Sequence, residues 1–190
     1  MASVLFCTAS GTEKVVNELV EHTKTLHPRN GGGFSWSLVK TRDQKDIELI
    51  TSTPIPEFST GFLGNSYKEL GEYFKTRVPD ISGRPEFYNQ ESFVVIDDRS
   101  LIDKSVLLVD WWVETPKEDL IGYGDDKETL KGWLPTGWHS IRVRLEDAPA
   151  ICAGISLSYD YWFVQRSGPE NFTEDGVLIM NEADVPKFAK

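Results

Sequence analysis

Apolar and polar residues alternate along this chain in blocks that change period. The first block, Val4–Thr8, is a short β-rich run. Ser10-Gly11-Thr12 interrupts it and can cap a helix. Val15, Val16, Leu19, Val20 and Leu26 then recur at helical spacing, with Glu13, Glu18 and Glu21 on other faces. The Pro28 ring disfavours helical geometry at His27, so the helix ends there. After the connector Asn30-Gly31-Gly32-Gly33, residues Phe34 to Val39 alternate as a half-buried strand does. Ile47–Thr51 reads as its neighbouring strand across the polar turn Thr41–Asp46. The prolines and glycines of 51–66 predict a long irregular loop, a common form of functional lid. Tyr67, Leu70, Phe74 and Val78 mark a second helix, weakened by Gly71, with loop from Pro79 to Pro85.

The densest apolar segment follows, FVVIDDRSLIDKSVLLVDWWV over 93–113. Its two runs, Phe93–Ile96 and Val106–Val109, are rich in β-branched residues and scarcely alternate. That pattern predicts adjacent central strands buried on both faces. Each run ends on acids: Asp97 and Asp98 after the first, Asp110 after the second. Beyond a polar excursion from Glu114 to Gly137, with a short helix at Asp126–Lys131, Ile141, Val143 and Leu145 define another strand. His139 shares their face, and Arg142 and Arg144 occupy the other. Ala148–Leu157 is apolar, with Pro149 suited to a first helical turn. Tyr159–Gln165 predicts a strand and Gly176–Met180 the last element. Strands with few helices and no repeat predict an α/β or α+β fold, a single globular domain over 1–190 with a mixed central sheet and a few peripheral helices.

Charge narrows the partners. A net charge of −10, with no basic run, disfavours a nucleic-acid backbone as ligand. The N-terminus lacks a basic segment and a long apolar run, and no stretch reaches membrane-spanning length, so a cytoplasmic protein without membrane insertion is expected. Cys7 and Cys152, both in apolar segments, read as buried thiols. The Asn171-Phe172-Thr173 sequon would matter only in a secreted protein.

The residues Thr8-Ala9-Ser10-Gly11-Thr12, between a strand and a helix, resemble the phosphate loop of flavodoxins, one residue shorter than that family's pattern. The resemblance covers about the first twenty residues and implies FMN held at a helix N-terminus; an ordinary capped helix is the competing reading. Over roughly the last hundred residues, VVIDDRSLIDKSVLLVD, WHSIRVRLEDAPAICAGISL and DGVLIM resemble an uncharacterised domain family found in fungi. That family implies no chemistry.

The acids Asp97, Asp98, Asp103 and Asp110 are oxygen donors of the kind hard cations need, but they lack metal-site spacing. Asp97-Asp98-Arg99-Ser100 is also a turn or helix-cap sequence. No zinc spacing, phosphate loop, nucleophile elbow or full dinucleotide fingerprint occurs, so no metal and no cofactor are expected. Aromatic residues reach 12%, among them Trp111-Trp112, Trp133, Trp138, Tyr159, Tyr161 and Trp162, and they can wall a pocket or fill a core. The expectation is a small-molecule-binding protein, a cofactor-independent isomerase, cyclase or lyase acting on an apolar metabolite. His139 would transfer the proton, Asp98 or Asp110 would orient it, and Trp111 or Trp112 would stack on the substrate. Arg142, facing the other way, would lie outside that pocket. A protein–protein interaction module and a degenerate flavodoxin-like FMN protein are the alternatives.

Overall fold

A computed structural model describes residues 2–26, 34–81, 88–112, 136–158 and 171–179. Five strands form one mixed sheet in the order β2-β1-β3-β4-β5. They are β1 (Ala2–Cys7), β2 (Ser35–Val39), β3 (Tyr88–Ile96), β4 (Ser105–Trp112) and β5 (Gly137–Arg144). The helices are α1 (Glu13–Leu26), α2 (Tyr67–Ile81), the single turn α3 (Ser100–Asp103) and α4 (Ala148–Ser158).

The first half is doubly wound. β1 pairs in parallel with β2 on one side and with β3 on the other. The chain moves outward from β1 to β2 through α1, then back past β1 to β3 through α2. Crossovers of one hand in opposite directions place their helices on opposite faces. Val15, Val16 and Leu19 of α1 accordingly pack with Leu5, Val94 and Leu108 on one face, joined by Ile151 and Cys152 of α4. Leu70, Tyr73 and Phe74 of α2 pack with Phe6, Phe93, Val95 and Val109 on the other. Two-sided cover explains the near-continuous apolar runs of β3 and β4, and Val95 and Leu108 are buried as expected.

The second half is antiparallel. Only residues 97–104 separate β3 from β4, too short a connection for a crossover, and β4 returns against β3. β5 then pairs antiparallel with β4 without interruption from Ser105↔Arg144 to Trp112↔Gly137. Val177 extends the sheet by a single parallel bridge to Arg142.

Three expectations change. Ile47–Thr51 is not a strand. It runs beside β2, but the bonds are mostly from side chains: the Thr51 hydroxyl accepts from the Leu38 N–H, and the hydroxyls of Ser35 and Ser37 donate to the Leu49 carbonyl. With α1 on one face and Ile47 and Phe62 on the other, Trp36 to Val39 are buried throughout rather than half-buried. The second helix continues through Pro79 to Ile81, because a proline in the last turn removes only one intrahelical bond. The expected helix at Asp126–Lys131 and strand at Tyr159–Gln165 lie outside the described residues, as do Trp133, Tyr159, Tyr161 and Trp162. Among the described residues no helix is long and apolar enough to cross a membrane.

Gly71 is the residue that lets α2 meet the sheet. A Cβ built there would lie 2.3 Å from the Trp138 indole. That indole packs edge-on against Phe74, Phe93 and Trp111, so making way for a methyl group would disturb all three contacts. Helix propensity favours Ala over Gly by about 1 kcal/mol, whereas overpacking costs about 1–3 kcal/mol. Gly71→Ala should therefore lower the midpoint of thermal unfolding. A raised midpoint would show that α2 does not press on Trp138.

Candidate functional site

The antiparallel return of β4 separates the acids that the sequence places together. Asp110 pairs with Ser92, midway along β3, whereas Asp98 follows the C-terminal end of β3, on the order of 20 Å away along the strand. The chemistry of each end is different.

At the Asp97 end the acids are engaged by neighbours. Asp97 Oδ1 accepts from the Ser100 N–H and hydroxyl, both at 3.0 Å, as the turn reading expects. Arg142 crosses from β5 to form an ion pair with the Asp97 carboxylate, and its Nη1 also donates to Ser105. Asp103 accepts from the Ser105 N–H and pairs with Arg99 at 2.6 Å. Asp98 is exposed in the turn. These carboxylates do not converge on a common point.

The flavodoxin-like loop lies at this same end. Thr8 and Thr12 are buried, while Ser10 and Gly11 are exposed. Residues 60–64 pack over it: the Thr60 hydroxyl donates to the Cys7 carbonyl, and the Gly64 N–H to that of Thr8. Glu13 opens α1 and brings its own carboxylate to the positive helix end, where it opposes a phosphate. Burial first, and Glu13 as well, push the Cys7 thiol up to about 12, against the opposing hydrogen bond from Thr12, so it stays neutral.

The opposite end carries the other expected residues. Asp110 lies directly across from His139, and Trp111 from Trp138. Alternation along each strand fixes their faces. Ile141 packs on the α1/α4 side and Trp138 on the α2 side, so His139 faces α1/α4. The same rule places Asp110 with Leu108 on the α1/α4 side and Trp111 on the α2 side. A polar row results on the α1/α4 side: Ser3 of β1, Ser92 of β3, Asp110 of β4 and His139 of β5. Ser3, Ser92 and Asp110 are all buried. The Cys152 thiol of α4 belongs to this neighbourhood; burial first, then the Asp110 carboxylate, push its pKa up, partly offset by Ser3. It is a neutral core thiol rather than a nucleophile.

The α2 side of this end holds an open cleft of about 440 Å³. Trp111 and Trp138 wall it, Glu69 and Glu72 of α2 line it, and His139 borders it. The indole planes meet at 71° with centroids 5.2 Å apart. Trp138 Nε1 donates to Glu72 Oε1 at 3.3 Å. The Lys75 ammonium rests on the face of Trp111, 2.7 Å from its centroid, and 5.1 Å from that of Trp138. Burial pulls the Lys75 pKa down from its ordinary value, and Glu72 and Glu91 pull it back up.

The structure thus brings His139 beside Asp110 and into the border of a tryptophan-walled cleft. It does not bring Asp98 there. Trp111 and His139 project from opposite faces, so the expected single pocket is divided across the sheet. The Trp112 backbone pairs with Gly137, and its side chain lies outside the description. Arg142 faces away from His139, as expected, but its place in the Asp97 network was not foreseen. Trp138, Glu72 and Lys75 were also not singled out for the site. Their sequence signal is the spacing of Lys68, Glu72 and Lys75, which puts all three on one face of α2.

Comparison with protein-family models, with curated proteins and with solved structures finds no match for the chain.

The Asp97–Arg142 pair has a pH signature. Burial alone would raise the Asp97 pKa, but Arg142 and Ser100 together hold it below the usual carboxylate range. A depressed carboxylate contributes stability that is present above its unfolded value of about 3.9 and is lost as pH falls through the folded value. Asp97→Asn should reduce stability at neutral pH and flatten its decline below about pH 4. Urea titrations between neutral pH and pH ~2 measure this; an unchanged acid slope would mean that Asp97 is not ion-paired.

Proposed function

We propose that the protein binds a small molecule in the cleft between α2 and the β4–β5 ladder. It then acts as a cofactor-independent enzyme, an isomerase, cyclase or lyase, on a predominantly apolar metabolite. One observation carries this reading: two indoles wall an open cleft of about 440 Å³, with the strand residue His139 at its border. That volume falls within the range of small-molecule sites, which combine apolar walls with a few polar groups. Trp111 and Trp138 offer flat faces for stacking. His139, at the border of the cleft, would be its proton-transfer group. Asp110, buried across the ladder from it, would be the acid that orients it. Rigid strands hold all four residues, which favours a fixed geometry at the site. The connection from Trp112 to Gly137 leaves and re-enters the sheet at this end, where long connections often carry function.

A library of apolar metabolites, followed by tryptophan fluorescence for binding and mass spectrometry for turnover, tests the reading. Ligands should bind the native protein and lose at least tenfold in affinity with Trp111→Ala. His139→Ala should keep binding but lose about 10²–10⁴-fold in turnover, the usual contribution of a general acid–base group. A folded His139→Ala variant with full turnover would remove His139 from the chemistry. If no compound binds, the cleft is not a metabolite site, and an interaction module becomes the better reading.

A further inference from the structure

A second cavity, of about 250 Å³, borders β2 and shares no residue with the cleft. Residues 44–56 run beside β2 and form much of its wall. They are tied down on two sides. The Thr51 N–H donates to the Trp36 carbonyl at 2.8 Å. Asn17 of α1 accepts from the Ile55 N–H at 2.7 Å and donates to the Ile55 carbonyl at 3.0 Å. The cavity is therefore part of the packed fold. Alternation sets what faces it. Leu38 and Lys40 line it, whereas Val39 between them packs on the α2 side. Asp46 and Glu48 line it, whereas Ile47 between them packs on the α2 side. Gln44 fixes the two stretches relative to each other: its amide accepts from the Lys40 N–H at 2.9 Å and donates to the Asp46 carbonyl at 2.8 Å.

Charges of opposite sign thus border one small cavity without pairing. Among the described residues, no hydrogen bond or ion pair engages the Lys40 ammonium or the carboxylates of Asp46 and Glu48. The ammonium stands 5.6 Å from the centroid of the Phe58 ring, a loose contact. Thr51 also lines the cavity and is only 6% exposed. Its hydroxyl accepts from the Leu38 N–H at 2.8 Å, and its own proton goes to no described group. A hydroxyl has one donor to place, and a buried donor left unplaced is costly. We propose that this cavity binds a small zwitterion, an amino acid with a compact apolar side chain. Lys40 and the Thr51 hydroxyl take its carboxylate, Asp46 and Glu48 take its ammonium, and the buried side chains of Leu38 and Ile55 receive its apolar part. A simple anion would meet the two acids, and a simple cation would meet Lys40; a zwitterion satisfies both signs. The volume lies just below the roughly 300–1,000 Å³ of drug-sized sites, which limits the ligand to a compact molecule. The site is separate from the cleft, so either reading can fail alone.

Two analogues of leucine separate the charges: isoamylamine lacks the carboxylate, and isocaproate lacks the ammonium. The full chain is titrated with L-leucine and with each analogue while the backbone amide resonances of Leu38 and Thr51 are followed by NMR. Leucine should shift both resonances, and each analogue should bind about two- to fivefold more weakly, the contribution of a partly exposed ion pair. Lys40→Gln should weaken leucine by a similar factor and leave isoamylamine no weaker. Asp46→Asn with Glu48→Gln should weaken leucine and leave isocaproate no weaker. Isoamylamine binding as tightly as leucine would make the cavity a cation site, and isocaproate doing so would make it an anion site; either result overturns the proposal. So does unchanged leucine binding in the Lys40 variant. If leucine, valine and alanine all leave both resonances unmoved, the cavity is not an amino-acid site.

Discussion

The short link between β3 and β4 is the constraint on which the rest of the structure depends. Residues 97–104 form a turn and the single helical turn α3, ended by Lys104 in the left-handed conformation. They cannot cross a sheet face, so β4 must descend antiparallel beside β3. From that single reversal follow the two ends of the molecule. Asp97 stays at one end, where Arg142 reaches it from β5. Asp110, Trp111 and Trp112 are carried to the other, where β5 begins and His139 and Trp138 meet them. A crossover helix in place of α3 would have sent all the acids to one end.

The sheet joins two regimes. The β2-β1-β3 half obeys the doubly wound rule, and its β1–β3 junction is where such folds usually bind ligands. Here that junction is packed by residues 60–64, and Glu13 places a carboxylate at the adjoining helix end. The antiparallel half supplies the open cleft instead. Gly71 lets α2 approach the Trp138 wall of that cleft closely, and the aromatic network of Phe74, Phe93, Trp111 and Trp138 gives it rigidity. Stability and site share the same side chains, which is why the Trp138 indole is buried and yet lines the cleft.

Much of the fold is legible in the sequence, because burial on two faces writes itself as unbroken apolar runs. β3, β4 and α4 are readable on that ground, α1 from its helical spacing, and Pro149 sits in the first turn of α4 as expected. The direction of β4 is not legible from apolar content alone; it depends on the length of 97–104, which the two rows of acids obscure. Ile47–Thr51 reads as a strand because its composition suits one, yet hydroxyls of Ser35, Ser37 and Thr51 serve that side of β2. Gly71 shows the limit of propensity: it reads as a flaw in a helix, and its value appears only against Trp138. For the site, His139 and its face follow from alternation within β5. Its partner follows only from register across strands, which selects Asp110 and removes Asp98. The Asp97–Arg142 pair is invisible to any local pattern, since its two residues belong to different strands.

β4 and β5 run antiparallel in a register that sets Trp111 against Trp138 and Asp110 against His139. Nuclear Overhauser contacts across this ladder test it directly. Contacts should appear between the indole protons of Trp111 and Trp138, with backbone contacts linking Asp110 to His139. Contacts from Trp111 to Ile141 or Arg142 instead would mean a shifted register, and the cleft as described here would not exist.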